Sequence, residues 1–253
     1  MIIFSKEIRE FLEENRTKIM IILYVILTCY LFRIISEIFH EILGHGLLTV
    51  LFGGKVNGIH ISLISPLDTS HITLDQDNLT QEQQLIAVSG GIIIDLTISF
   101  LLQAILLLRR IEWKFSIPML WLAFWCHSNE TGIIIGNALT GLKGDMTGLI
   151  EAGVISSPIA LMVGISLYFL GFFLISTIIR RLLADYSIDK SKIRYYIFIF
   201  WMIVPLNILL YILKTGYLSS LIIGLIPLVI SYLLEFQIIP RMEEGKIETS
   251  NPR

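Results

Sequence analysis

The feature that most limits how this chain can fold is a succession of apolar runs about 20 residues long, the length a helix needs to cross a bilayer core. Six such spans are legible. The first begins after Lys18, the second covers about 85–108 and the third about 115–135; the last three cover about 159–179, 195–213 and 218–239. Inside a membrane the backbone has no water to bond, so spans of this kind must be helical. With 55% hydrophobic and only 16% charged residues, a soluble domain is a poor alternative. The sequence predicts an all-α polytopic membrane protein of about six transmembrane helices. No repeat or low-complexity linker divides it, so residues 1–253 read as a single membrane domain. A net charge of −2 offers no basic surface for nucleic acid; the lipid bilayer is the partner that composition demands.

The ends and the cysteines add little chemistry. Residues 1–18 mix acids and bases, and no small-residue cleavage site follows the apolar run, so they read as an interfacial segment rather than a cleaved signal. Cys29 and Cys126 both lie in apolar segments and read as small buried hydrophobes, not as a disulfide framework. Lys and Arg cluster before the first span, after the second, after the fourth and in the tail. The positive-inside rule then puts both termini in the cytoplasm and the connections 53–83 and 137–157 together on the outer side.

The polar residues inside these spans carry the information. An ionisable residue in an apolar span costs a few kcal/mol on insertion scales and marks a functional site by default. The segment Phe39-His40-Glu41-Ile42-Leu43-Gly44-His45-Gly46 holds three of them. Two histidines with a glutamate after the first suggest a zinc site, with Glu41 as general base. Upstream, Arg33 and Glu37 are four apart and read as a structural ion pair. Asp95 follows Ser89-Gly90-Gly91 in the second span, and His127 and Glu130 share a face of the third. The first span with its polar end is about 50 Å long as a straight helix, so it must tilt, break or bury its second half. Beyond Gly53-Gly54, 55–63 and 71–74 alternate like short strands around a Pro66-Leu67-Asp68 turn. His60 and His71 there read as solvated loop residues.

Three stretches agree with one family. His40-Glu41 with Gly44-His45, followed by Phe52-Gly53-Gly54 and a strand-like segment, is one. Ser89-Gly90-Gly91-Ile92-Ile93-Ile94-Asp95 and Asn137-x-x-Thr140-x-x-x-Gly144-Asp145-Met146 are the others. Over about residues 36–150 the chain resembles the site-2 protease family of intramembrane zinc metalloproteases. The second stretch is similar to that family's Gly-Pro-x-x-Asn helix, with Asp95 at the asparagine position. The third is similar to its Asn-x-x-Pro-x-x-x-Leu-Asp-Gly motif, with Thr140, Gly144 and Met146 replacing Pro, Leu and Gly. The resemblance implies Zn²⁺ held by His40, His45 and Asp145, Glu41 as the catalytic base, and peptide-bond hydrolysis in membrane-embedded substrates. It divides the chain into a metalloprotease-like core, 19–150, and three additional helices, 151–253. Asp95, His127, Glu130 and Asn137 are candidates for supporting the ligands or binding substrate. The strand-like insert would hold an unwound substrate by edge pairing.

The histidines, however, are five positions apart, one more than in a regular zinc-peptidase helix. Residues four apart differ by about 40° around an α-helix and residues five apart by about 140°. A π-bulge, with Gly44 as a natural place for it, would bring His40 and His45 back to one face. Other readings of the same residues are a Glu41/His45 ligand pair, a non-catalytic relative acting as chaperone or carrier, and a di-iron oxidoreductase built on Glu37-x-x-His40.

Overall fold

A computed structural model describes residues 15–63, 68–186, 188–215 and 219–239, with side chains omitted over 210–223. The expected interfacial helix before residue 15 and the Pro66-Leu67 turn lie outside the described residues. The described residues are largely helical, with one small two-stranded sheet. Its N-terminal helix runs unbroken over Arg16–Leu51, as α1 (Arg16–Ile38), a π-helical segment (Phe39–Gly46) and α2 (Leu47–Leu51). The polar part of this long helix is the part that is buried. The first half exposes Met20, Ile22, Leu23 and Leu27, whereas His40, Glu41, Gly44, His45 and Gly46 are buried.

Gly53, at φ 94°, turns the chain out of α2 in a left-handed conformation that glycine alone adopts without strain. A β-hairpin follows, β1 (Lys55–His60) antiparallel to β2 (His71–Asp75), with Val56 opposite Leu74, Ile59 opposite Ile72 and a bulge between Val56 and Gly58. His60 and His71 are exposed and stacked, ring centroids 5.0 Å apart, and His60 Nε2 lies 2.6 Å from Asp68 Oδ2. They are surface residues, as expected.

The second span starts earlier than its apolar run suggests. In α3 (Gln81–Leu108) a capping box opens the helix: Gln83 N–H donates to Thr80 Oγ1, and Thr80 N–H donates to Gln83 Oε1 at 2.9 Å. The third span is α4 (Trp113–Thr140), closed by Gly141 at φ 64°. Next come α5 (Asp145–Glu151), α6 (Ser157–Asp185), α7 (Lys190–Trp201), α8 (Ile203–Thr215), α9 (Ser219–Tyr232) and a second π-helical segment (Leu233–Ile238). The expected fifth span is thus divided at Met202, and the expected sixth changes to π geometry at Leu233.

Among the described residues four helices are long and apolar enough to cross a membrane: Arg16–Leu51, Gln81–Leu108, Ser157–Asp185 and Lys190–Leu209. The six expected spans are therefore met in part. The fold explains why α4 falls outside this set. It is the central helix, and every residue from Leu120 to His127 is buried. A helix that faces protein rather than lipid has no need of an apolar perimeter and can carry polar groups. Ser99 Oγ donates to the Ala123 carbonyl at 2.7 Å and Trp125 Nε1 to the Cys29 carbonyl at 2.9 Å, tying α4 to α3 and α1. An aromatic core of Trp121, Phe124, Phe172 and Trp201 fills the space between α4, α6 and α7. A smaller apolar cluster of Ile92, Ile134, Met146 and Leu149 packs α3 and α4 against α5, which sets the position of Asp145.

Candidate metal centre

The π-helical segment answers the spacing problem. Its wider turn brings residues five apart to one face, and the rings of His40 and His45 face each other edge-on with centroids 4.8 Å apart. Gly44 lies within the segment, but its second role is packing. A Cβ there would sit 2.5 Å from Gly91 Cα and 2.8 Å from the Gly90 carbonyl carbon. The motif helix and α3 thus meet backbone to backbone, the close approach that small residues permit in membranes. Gly91 in turn makes room for the two imidazole rings, since a Cβ on it would lie 2.4 Å from His40 Cε1 and 2.7 Å from His45 Nε2.

Three potential ligand atoms converge there. His40 Nε2 lies 3.1 Å from His45 Nε2 and 3.1 Å from Asp145 Oδ2, and His45 Nε2 lies 3.2 Å from the same oxygen. Four ligands at zinc distances of about 2.05 Å in a tetrahedron are about 3.3 Å apart, so this triangle has the size of one face of a zinc site. The outward nitrogens define the protonation. A carbonyl can only accept, so His45 Nδ1 donates to the Ala87 carbonyl at 2.8 Å, leaving Nε2 as the ligand atom. His40 Nδ1 lies 2.8 Å from Glu130 Oε1 and 3.5 Å from Asp95 Oδ2. Two imidazole lone pairs and a carboxylate oxygen at such separations repel one another unless a proton or a cation lies among them. The residues present therefore fit a zinc ion.

Asp145 is carried by the first residue of α5, after Gly144. A Cβ on Gly144 would lie 2.6 Å from Asn137 Oδ1, so the Asn137 carboxamide packs on the backbone that delivers the aspartate. Burial alone would push the Asp145 carboxyl up; His40 and His45, when protonated at Nε2, donate to it, outweigh burial and hold the group well below the usual carboxylate range. Glu41 is 7% exposed and within electrostatic reach of His40, His45 and Asp145. The hairpin sits over this end of the motif: a Cβ on Gly46 would lie 3.0 Å from Ile72 Cδ1 and 3.6 Å from Val56 Cγ2.

The structure thus brings together His40, His45, Asp145, Glu41, Glu130 and Asp95, with Asn137 behind the loop. It does not bring in His127. That side chain leaves α4 toward α6, where its Nε2 pairs with the Leu167 carbonyl at 2.8 Å and its ring rests on Gly171. Sequence reading had grouped it with Glu130, because residues three apart share a broad helix face; the two fall on opposite edges of that face. Glu37 Oε1 accepts from Arg33 Nη2 at 3.1 Å, as expected of a structural pair. The Ala87 carbonyl and the Gly91 Cα escaped the sequence reading. A backbone acceptor leaves no trace in side-chain identity, though the Gly90-Gly91 pair signalled close approach.

No family model matches the chain, and neither the curated proteins nor the solved structures give a match.

Proposed function

We propose that this chain is a zinc-dependent intramembrane endopeptidase. The observation that carries the reading is the triangle of His40 Nε2, His45 Nε2 and Asp145 Oδ2, each pair 3.1 to 3.2 Å apart, among apolar helices. His40, His45 and Asp145 would hold the ion, three protein groups as in catalytic zinc sites. When bound, zinc supplies Lewis acidity, which activates water near neutral pH and polarises a carbonyl. Glu41 takes the proton from that water and delivers it to the leaving amine. Asp145 lies at the accessible edge, its side chain 23% exposed, which favours entry of substrate from the side of the hairpin and α5.

The substrate is a membrane protein segment, unwound and held as an extended strand along the β1–β2 hairpin. A helical peptide keeps its carbonyls in its own hydrogen bonds, and a sheet edge offers replacements. The integral, multi-pass arrangement has six spans, with α4 as the protein-enclosed third, both termini cytoplasmic and the site toward the outer side. Glu41→Gln tests the chemistry. It keeps size and polarity but cannot carry the proton. Its expected effect is a loss of cleavage of a reconstituted membrane substrate by at least about 100-fold, the usual worth of a general base, with zinc content unchanged. Undiminished cleavage by the variant would contradict the assignment.

A further inference from the structure

The two imidazoles of the centre are held differently. Behind His45 stands a neutral acceptor, the Ala87 carbonyl; behind His40 stand two carboxylates. Glu130 is the nearer, with Oε1 2.8 Å from His40 Nδ1 against 3.5 Å for Asp95 Oδ2. It is 1% exposed. Neither of its oxygens completes a hydrogen bond, so its tie to His40 Nδ1 is a close ion-pair approach, and no Lys or Arg pairs with it among the described residues. Asp95 is also buried, at 1%, and receives the Cys126 thiol. A buried carboxylate with no protein cation is strongly unfavourable. The arrangement becomes favourable if positive charge sits on the far side of the imidazole it faces, where His40 Nε2 meets His45 and Asp145.

Resting on the metal reading above, we infer that Glu130 is the positioning residue of the centre. Its carboxylate holds the proton on His40 Nδ1, which fixes the ring's tautomer and directs the Nε2 lone pair at the ligand triangle. It also makes His40 the more electron-rich of the two imidazole ligands, because an anionic partner on one ring nitrogen raises the basicity of the other. Asp95 adds negative charge from farther away and contributes less. The sequence supports the division of labour: Glu130 projects from α4, the helix enclosed by protein, where a charge can be kept from lipid.

The test compares wild type with Glu130→Gln and Asp95→Asn as full-length, detergent-purified chains. Zinc affinity is read by competition with a chromophoric chelator, and geometry by the visible spectrum of the cobalt-substituted protein. Glu130→Gln is expected to bind zinc about 10- to 100-fold more weakly and to shift the cobalt bands, with helix content unchanged; Asp95→Asn is expected to do less. A folded Glu130→Gln with wild-type affinity and an unaltered cobalt spectrum would overturn the inference while leaving the zinc site standing. Should Glu130→Gln fail to fold, histidine ¹⁵N-edited NMR of the zinc-loaded wild type decides. The His40 Nδ1–H resonance should lie well downfield of that of His45, and coincident resonances would overturn the proposal. A wild type that binds neither metal would overturn the metal reading itself.

Discussion

Among the described residues a π-helical turn occurs twice, at Phe39–Gly46 and at Leu233–Ile238, and each places a carboxylate in a buried position. The outcomes differ in how charge is closed. In the second, Glu235, 3% exposed, meets Arg180 from α6, with Oε1 2.5 Å from Nη2. The protein supplies both signs, and the pair ties the second π-helical segment to α6. In the first, the wide turn gathers two imidazoles against Asp145, with Glu41, Glu130 and Asp95 around them, and no Lys or Arg reaches the ligand triangle among the described residues. A buried polar group matched within the protein is structure. A buried set of acceptors that no Lys or Arg matches needs a proton or a cation among them, and on the proposed reading that is the metal ion.

The contrast can be broken most severely at Gly91. Gly91→Ala puts a methyl 2.4 Å from the His40 ring and 2.6 Å from its Nε2, so the rings must move. The variant should lose zinc and, by overpacking, about 2 kcal/mol of stability, read by metal analysis and thermal unfolding. Retention of full zinc would mean the rings are not held where they are described. A smaller effect is expected from deleting Leu43, which is exposed at 38%. The deletion converts the π-turn to a regular helix with histidines four apart, again about 40° from alignment. Zinc should be kept with a lowered unfolding midpoint; complete loss would show that the wide turn does more than align two rings. The smallest effect belongs to the other π-turn. Glu235→Gln removes a pair whose arginine is 37% exposed and so remains partly solvated. A cost of about 1 to 2 kcal/mol, with zinc unchanged, would keep the two regions distinct; a loss of zinc would couple them.

Much of this was legible from the sequence, for identifiable reasons. Apolar length located the helices, and polar residues inside apolar runs located the centre, since both signals are strong against a membrane background. Helical periodicity alone showed that a regular helix would misalign His40 and His45, and it left the π-turn as one of several alternatives. Other features depended on which neighbour a helix meets. Glu130 and His127 look equivalent on α4, yet one faces the motif helix and the other the α6 backbone at Leu167. The break at Met202 and the start of α3 at Gln81 escaped hydropathy, which is blind to where a hydrogen-bonded end forms; Thr80 and Gln83 carried the capping signal for the second. Gly44 was identified for helix flexibility, whereas its tightest constraint is the backbone of Gly90 and Gly91.

The most direct test of the central claim is the zinc content of the detergent-purified protein, measured for wild type beside His45→Ala and Asp145→Ala. About one zinc per chain in the wild type, lost in both variants while helix content is retained, is the outcome required if His40, His45 and Asp145 together hold the ion. A wild type without metal, or zinc that persists in both variants, would contradict it.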